Sequence, residues 1–115
     1  MNIKTTKITN DPAPPVQKFV DMIWYQAHKD NVSEIILIQE SNKCRILLDK
    51  NDIPPPPVNI FGYVIKQLIK YAGIKIWPWT KSINSTLFCI ELHNAKTNWT
   101  INSEDISKQI RITRS

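Results

Sequence analysis

The chain has 115 residues, 42% of them hydrophobic and 22% charged, and a formal net charge of +5. This is one domain's worth of chain with ordinary globular composition, which excludes wholesale disorder and any need for disulfide staples. No apolar run approaches the ~20 residues of a membrane span, and the N-terminus has no apolar signal-peptide core, so a soluble, cytoplasmic protein is expected.

Residues 1–15 read as a flexible or edge arm that ends in the stiff run Asp11-Pro12-Ala13-Pro14-Pro15. Residues 16–115 read as a single α+β domain. Its first element is a helix over Val16 to His28, in which Val16, Phe19, Val20, Ile23, Trp24 and Ala27 make a full apolar stripe. Pro15 suits the first helical position, Gln17, Lys18, Asp21 and Gln26 take the wet face, and Asn31 suits a left-handed cap.

A β-hairpin follows. Ile35 to Ile38 is nearly continuous Ile/Leu and is expected to be buried on both faces. Glu40 to Lys43 is the turn, and Arg45 to Leu48 the return strand. Asp49 to Pro57 then leaves the sheet, and its four consecutive prolines read as a rigid connector rather than a ligand for an SH3-like domain. A second helix runs from Val58 or Asn59 to Ala72, with Ile60, Phe61, Val64, Ile65, Leu68, Ile69 and Ala72 on its apolar face and Gly73 as its stop.

Ile74 to Trp77 alternates apolar with polar and predicts a short strand. Pro78 to Asn84 is a loop. Thr86 to Leu92 and Asn98 to Ile101 form a second hairpin about a turn at His93 to Lys96. Ser103 to Asp105 reads as a further turn, and Gln109 to Thr113 as a last edge strand. The expected order is α-β-β-α-β-β-β-β: a mostly antiparallel sheet with two amphipathic helices on one face.

Catalytic signatures are missing. There is no phosphate-cradling glycine loop, and only two glycines from which to build one. His28 fits a helix C-terminus and His93 a turn, neither with a nucleophile or carboxylate in a recognised spacing. Cys44 and Cys89 sit in apolar strands, where free buried thiols are the default. A non-enzyme without cofactor or metal is expected.

Charge is distributed unevenly. From Ile53 to Ile90 there is no acidic residue, yet Lys66, Lys70, Lys75 and Lys81 fall there. Trp77 and Trp79 flank Pro78 between two of these lysines, an arrangement that could stack bases and hold phosphates. The blander alternative puts one of these tryptophans in the core and the other over a sheet edge. A protein-binding hot spot on Trp79 lies between the two.

Three segments together resemble a known family. Val32-Ser33-Glu34-Ile35, Arg45-Ile46-Leu47-Leu48-Asp49 and Ala72-Gly73-Ile74-Lys75-Ile76 stand, in order, where the N-terminal domain of the type II/type IV secretion ATPases has A-S-D-I, R-x-R-I-D and A-G-x-D-I. The similarity spans Val16 to Ile76. It departs at Ile36, where the family has His, at Asp49-Lys50, where it has Asp-Gly, and near Pro78 to Asn84, where a P-Q-D-G segment is missing. None of the 115 residues belongs to a P-loop motor. The resemblance implies a non-catalytic protein-interaction or assembly domain, whose partner is an ATPase or another assembly component. The residues expected to carry that contact are Arg45, Asp49, Lys66, Lys70, Trp79 and Lys81. The alternative is a small basic domain that binds nucleic acid.

Overall fold

A computed structural model describes residues 3–115, so the first two residues of the expected arm lie outside the described residues. The elements in chain order are β1 (Lys4–Lys7), α1 (Pro15–Lys29), β2 (Glu34–Gln39), β3 (Cys44–Leu48), β4 (Asn51–Ile53), α2 (Val58–Tyr71), β5 (Ile83–Leu92), β6 (Ala95–Asp105) and β7 (Gln109–Arg114). The seven strands form one sheet in the order β1-β5-β6-β7-β2-β3-β4. All pairings are antiparallel except β1 with β5. The α+β class therefore holds, and the sheet is mixed but mostly antiparallel, as expected.

The chain lays down the same order twice, a helix followed by a three-stranded meander. The two meanders join through β7 and β2, with Ile35 opposite Ile112 and Leu37 opposite Ile110. β7 is thus central. Its Ile110 and Ile112 are fully buried, and the expectation of an edge strand is corrected.

One face of the sheet carries the core. Ile35, Leu37, Ile46, Leu48, Phe88, Ile90, Trp99, Ile101, Ile110 and Ile112 belong to one cluster with Ile23 and Trp24 of α1 and Phe61, Val64 and Leu68 of α2. Trp24 anchors it, meeting Phe88 and Trp99 edge-on at centroid distances of 5.9 and 5.3 Å, a geometry that suits the aromatic quadrupole. The opposite sheet face carries no helix. Ile36 and Ile38 lie there, half-buried, so β2 is fully buried on one face only and alternates as a half-covered strand does.

Local chemistry sets the boundaries. Pro15 opens α1, and Asn31 adopts a left-handed φ of 52° just beyond its end. Gly73 ends α2 with φ 78°, and a Cβ there would come within 2.8 Å of the Lys4 side chain on β1. Leu48 pairs with Asn51 across Asp49 and Lys50, whose φ values of 50° and 73° make a two-residue hairpin turn of the mirror-image type. The chain therefore does not leave the sheet at Asp49, because Asn51–Ile53 adds a short edge strand first.

Two further expectations fail. Ile74 to Trp77 is not a strand: β1 occupies that edge of β5, and Ile74 and Ile76 alternate inward only to pack on the core. Ser103 to Asp105 extends β6 through an irregular stretch, and the turn falls later, where Asp105 Oδ1 accepts from the Ser107 backbone N–H at 3.0 Å.

Candidate functional site

The loop between α2 and β5 holds the most exposed aromatic surface. Lys75 and Trp77 point outward where Ile74 and Ile76 turn in. The Trp77 N–H donates to Thr80 Oγ1 at 2.9 Å, and the Thr80 N–H donates to the Trp77 carbonyl at 2.9 Å. These two bonds close a tight turn with Pro78 and Trp79 at its corner, where the fixed φ of proline is favoured. Trp77 and Trp79 are 56% and 73% exposed. Their rings stack at 5.7 Å with planes 6° apart. Neither lies in the core, and the blander reading is corrected; the core tryptophans are Trp24 and Trp99.

A tryptophan can bury 150–250 Å². With the rings 56% and 73% exposed, covering what remains of one at about 25 cal/mol per Å² releases about 2–5 kcal/mol before association costs. The loop is also anchored. The Ile106 N–H donates to the Lys81 carbonyl at 2.8 Å, tying it to the β6–β7 turn. Asp105 in that turn has its carboxyl lowered, first by the Ser107 hydroxyl, then by the Ser107 backbone N–H, and to a lesser degree by the charges of Lys108 and Lys81.

The other expected contact residues are divided. Lys66 and Lys70 are exposed on α2, the helix that runs into this loop, and Lys66 Nζ stands 5.8 Å from the exposed Tyr63 ring. Arg45 and Asp49 lie on the far side of the sheet and are engaged within the chain. Arg45 grips Asp52 bidentately at 3.0 and 2.8 Å, and this hydrogen bonding lowers the pKa of the Asp52 carboxyl. Asp49 accepts the backbone N–H groups of Ser33 and Glu34 at 2.9–3.1 Å, pinning the end of the α1–β2 connection to the β3–β4 turn. The structure thus gathers Trp79 and Lys81 with Trp77 and Lys75, and it leaves Arg45 and Asp49 about four strands from β5.

One buried polar pair had no signal in the sequence. Asp21, expected on the wet face of α1, is 8% exposed. The Tyr71 hydroxyl of α2 donates to its Oδ1 at 2.6 Å. Burial raises the Asp21 carboxyl, against the lowering effect of that hydrogen bond. Burial and then Asp21 itself push the Tyr71 phenol up. His28 and His93, far apart in sequence, come together with ring centroids 6.1 Å apart. Among the described residues, no group of three or more His, Cys, Asp or Glu side chains is placed to hold a metal ion.

Cys44 and Cys89 are free and buried. Strands β6, β7 and β2 separate β5 from β3, a span of roughly 19 Å at the usual strand spacing, so no disulfide joins them. Among the described residues, no helix is long and apolar enough to cross a membrane. No protein-family model matches the chain, and no curated protein matches it either.

Proposed function

We propose that this protein is a non-catalytic interaction domain that holds a protein partner through the Trp77–Trp79 turn. The observation that carries the reading is the stacked pair of exposed indoles on a turn closed by its own hydrogen bonds. Two rings fixed before binding lose little side-chain entropy on contact, which is what concentrates affinity into a hot spot. Lys75 and Lys81 beside them favour an acidic rim on the partner. The partner class, an ATPase or other component of a secretion or pilus machine, rests on the resemblance at Val32–Ile35, Arg45–Asp49 and Ala72–Ile76. Arg45 serves this reading as an ion pair with Asp52 that braces the β3–β4 hairpin, and not as part of the contact at the tryptophan turn.

The test is affinity capture with the parent chain and the Trp77→Ala/Trp79→Ala variant side by side. The expected result is an ATPase or assembly protein retained by the parent and lost from the variant. Identical retention by both chains refutes the reading.

A second reading, binding to single-stranded nucleic acid, is favoured by the same parallel rings between lysines, within a segment that lacks acidic residues from Ile53 to Ile90. It requires oligonucleotide affinity that falls steeply with salt and disappears in the double variant. No binding at low salt eliminates it.

A further inference from the structure

The proline run that joins β4 to α2 is held at both ends and open along its side. Ile53 pairs with Ile46 at the end of β4. The Pro56 carbonyl accepts the Cys44 thiol at 3.4 Å, and the Pro57 carbonyl accepts the N–H groups of Ile60 and Phe61. Pro57 has φ −53° and ψ 145°, in the polyproline II region. Pro54, Pro55 and Pro57 are exposed all the same, and Val58 after them is 37% exposed. The chain thus presents a fixed, uncharged apolar ridge to solvent.

The Trp77–Trp79 turn has the chemistry that fits such a ridge. Proline-rich segments dock on exposed aromatic rings, because polyproline II is set before binding and flat ring faces take the pyrrolidine rings. Both surfaces are fixed in advance here, so little conformational entropy is lost on contact. They do not meet within one molecule. The prolines follow β4, at one edge of the sheet, and the turn precedes β5, with β6, β7, β2 and β3 between those strands. That is a span of roughly 24 Å at the usual strand spacing. Each segment is also tied down, the prolines as described and the turn through the Lys81 carbonyl to the Ile106 N–H.

We propose that the tryptophan turn takes the Pro54–Pro57 ridge of a second copy of this chain. The inference rests on the reading of that turn as a protein-docking surface and names one occupant for it. The two surfaces differ and lie on opposite sides of the sheet, so the contact is head-to-tail, and a copy that gives its prolines keeps its own turn free. The contact is small beside the roughly 1,200–2,000 Å² of a stable interface, so association is weak and reversible. It is apolar, between chains that each carry +5. Added salt therefore screens their repulsion and leaves the contact intact or stronger, the opposite of nucleic-acid binding. An outside partner at the turn competes with it.

Two variants divide the contact. Trp77→Ala/Trp79→Ala keeps the prolines, and Pro54→Ser/Pro55→Ser keeps the turn. All four side chains are exposed, and Pro56 and Pro57, which fix the run, are retained. ¹⁵N-labelled Pro54→Ser/Pro55→Ser is titrated with the unlabelled tryptophan variant and followed by ¹H–¹⁵N NMR. The expected result is a saturable movement of the Trp77 and Trp79 indole resonances, undiminished by salt, while those of the buried Trp24 and Trp99 stay in place. Unlabelled Pro54→Ser/Pro55→Ser as titrant should move neither exposed indole. Two results overturn the proposal: no movement of the Trp77 and Trp79 indoles, or equal movement with both titrants. Unmoved indoles beside partner capture that is still lost from Trp77→Ala/Trp79→Ala overturn this inference alone; the reading of the turn falls only when that capture is unaffected.

Discussion

Removing the Tyr71 hydroxyl should expose how α1 and α2 are tied together. In Tyr71→Phe the Asp21 carboxyl stays buried and loses the donor that stands 2.6 Å away. Loss of a hydrogen bond to a charged group costs about 1.5–3 kcal/mol. For a chain of this length, unfolding entropy near the midpoint makes 1 kcal/mol worth about 4 °C. Tyr71→Phe should therefore lower Tm by about 6–12 °C at pH 7. The companion Asp21→Asn keeps an acceptor for Tyr71 and removes the charge that burial disfavours, so its Tm at pH 7 should equal or exceed that of the parent. The sign with pH follows from the raised Asp21 pKa. Between the unfolded carboxyl value and the raised folded one, the folded state binds more protons, so stability falls as pH rises through that window. Asp21→Asn should remove that slope. Differential scanning calorimetry of the three chains from pH 3 to pH 8 decides the matter. A Tyr71→Phe loss under about 0.5 kcal/mol, or a pH dependence of Tm that is the same in Asp21→Asn as in the parent, refutes the account of this pair.

Other positions give independent checks. Gly73→Ala meets both a left-handed φ and the Lys4 side chain at 2.8 Å; it should cost at least about 1 kcal/mol in chemical denaturation and increase amide exchange in β1. Lys50 sits at φ 73° in the second position of a hairpin turn where glycine is preferred. Lys50→Gly should stabilise by a few tenths of a kcal/mol or more, read as a shifted urea midpoint at unchanged slope. Cys44 and Cys89 should resist thiol reagents in the native state and react together on unfolding, because both are buried and burial raises the Cys44 thiol further.

Helix periodicity made α1 and α2 legible nearly to the residue, since Pro15, Asn31 and Gly73 each have one conformational use at a helix end. The first hairpin was legible as two apolar strands about a polar turn, whereas the alternation of Ile35 and Leu37 was hidden in a continuous Ile/Leu run that read as buried on both faces. What escaped depends on pairing rather than on pattern. Lys4–Lys7 is polar on both faces, and nothing in it announces a parallel partner in β5. By taking that edge, β1 leaves the strand-like alternation of Ile74 to Trp77 with no neighbour to bond. Gln109–Arg114 read as an edge because its arginines and threonines alternate with two isoleucines, yet it sits between the two meanders. Asp21 was misplaced because only the packing of α2 on α1 buries it. The basic, aromatic character of residues 75–81 could be read directly, whereas the stacking and exposure of both rings could not, since they depend on the Trp77–Thr80 turn.

The central claim is that partners meet the protein at the tryptophan turn. A photo-crosslinking amino acid placed at Trp79, with a matched one at Leu87 on the helix-free face of the sheet, measures this most directly. A discrete protein adduct is expected from position 79, reduced by Trp77→Ala, and none from position 87. An adduct that forms at 87 and not at 79, or one from position 79 made of nucleic acid alone, contradicts it.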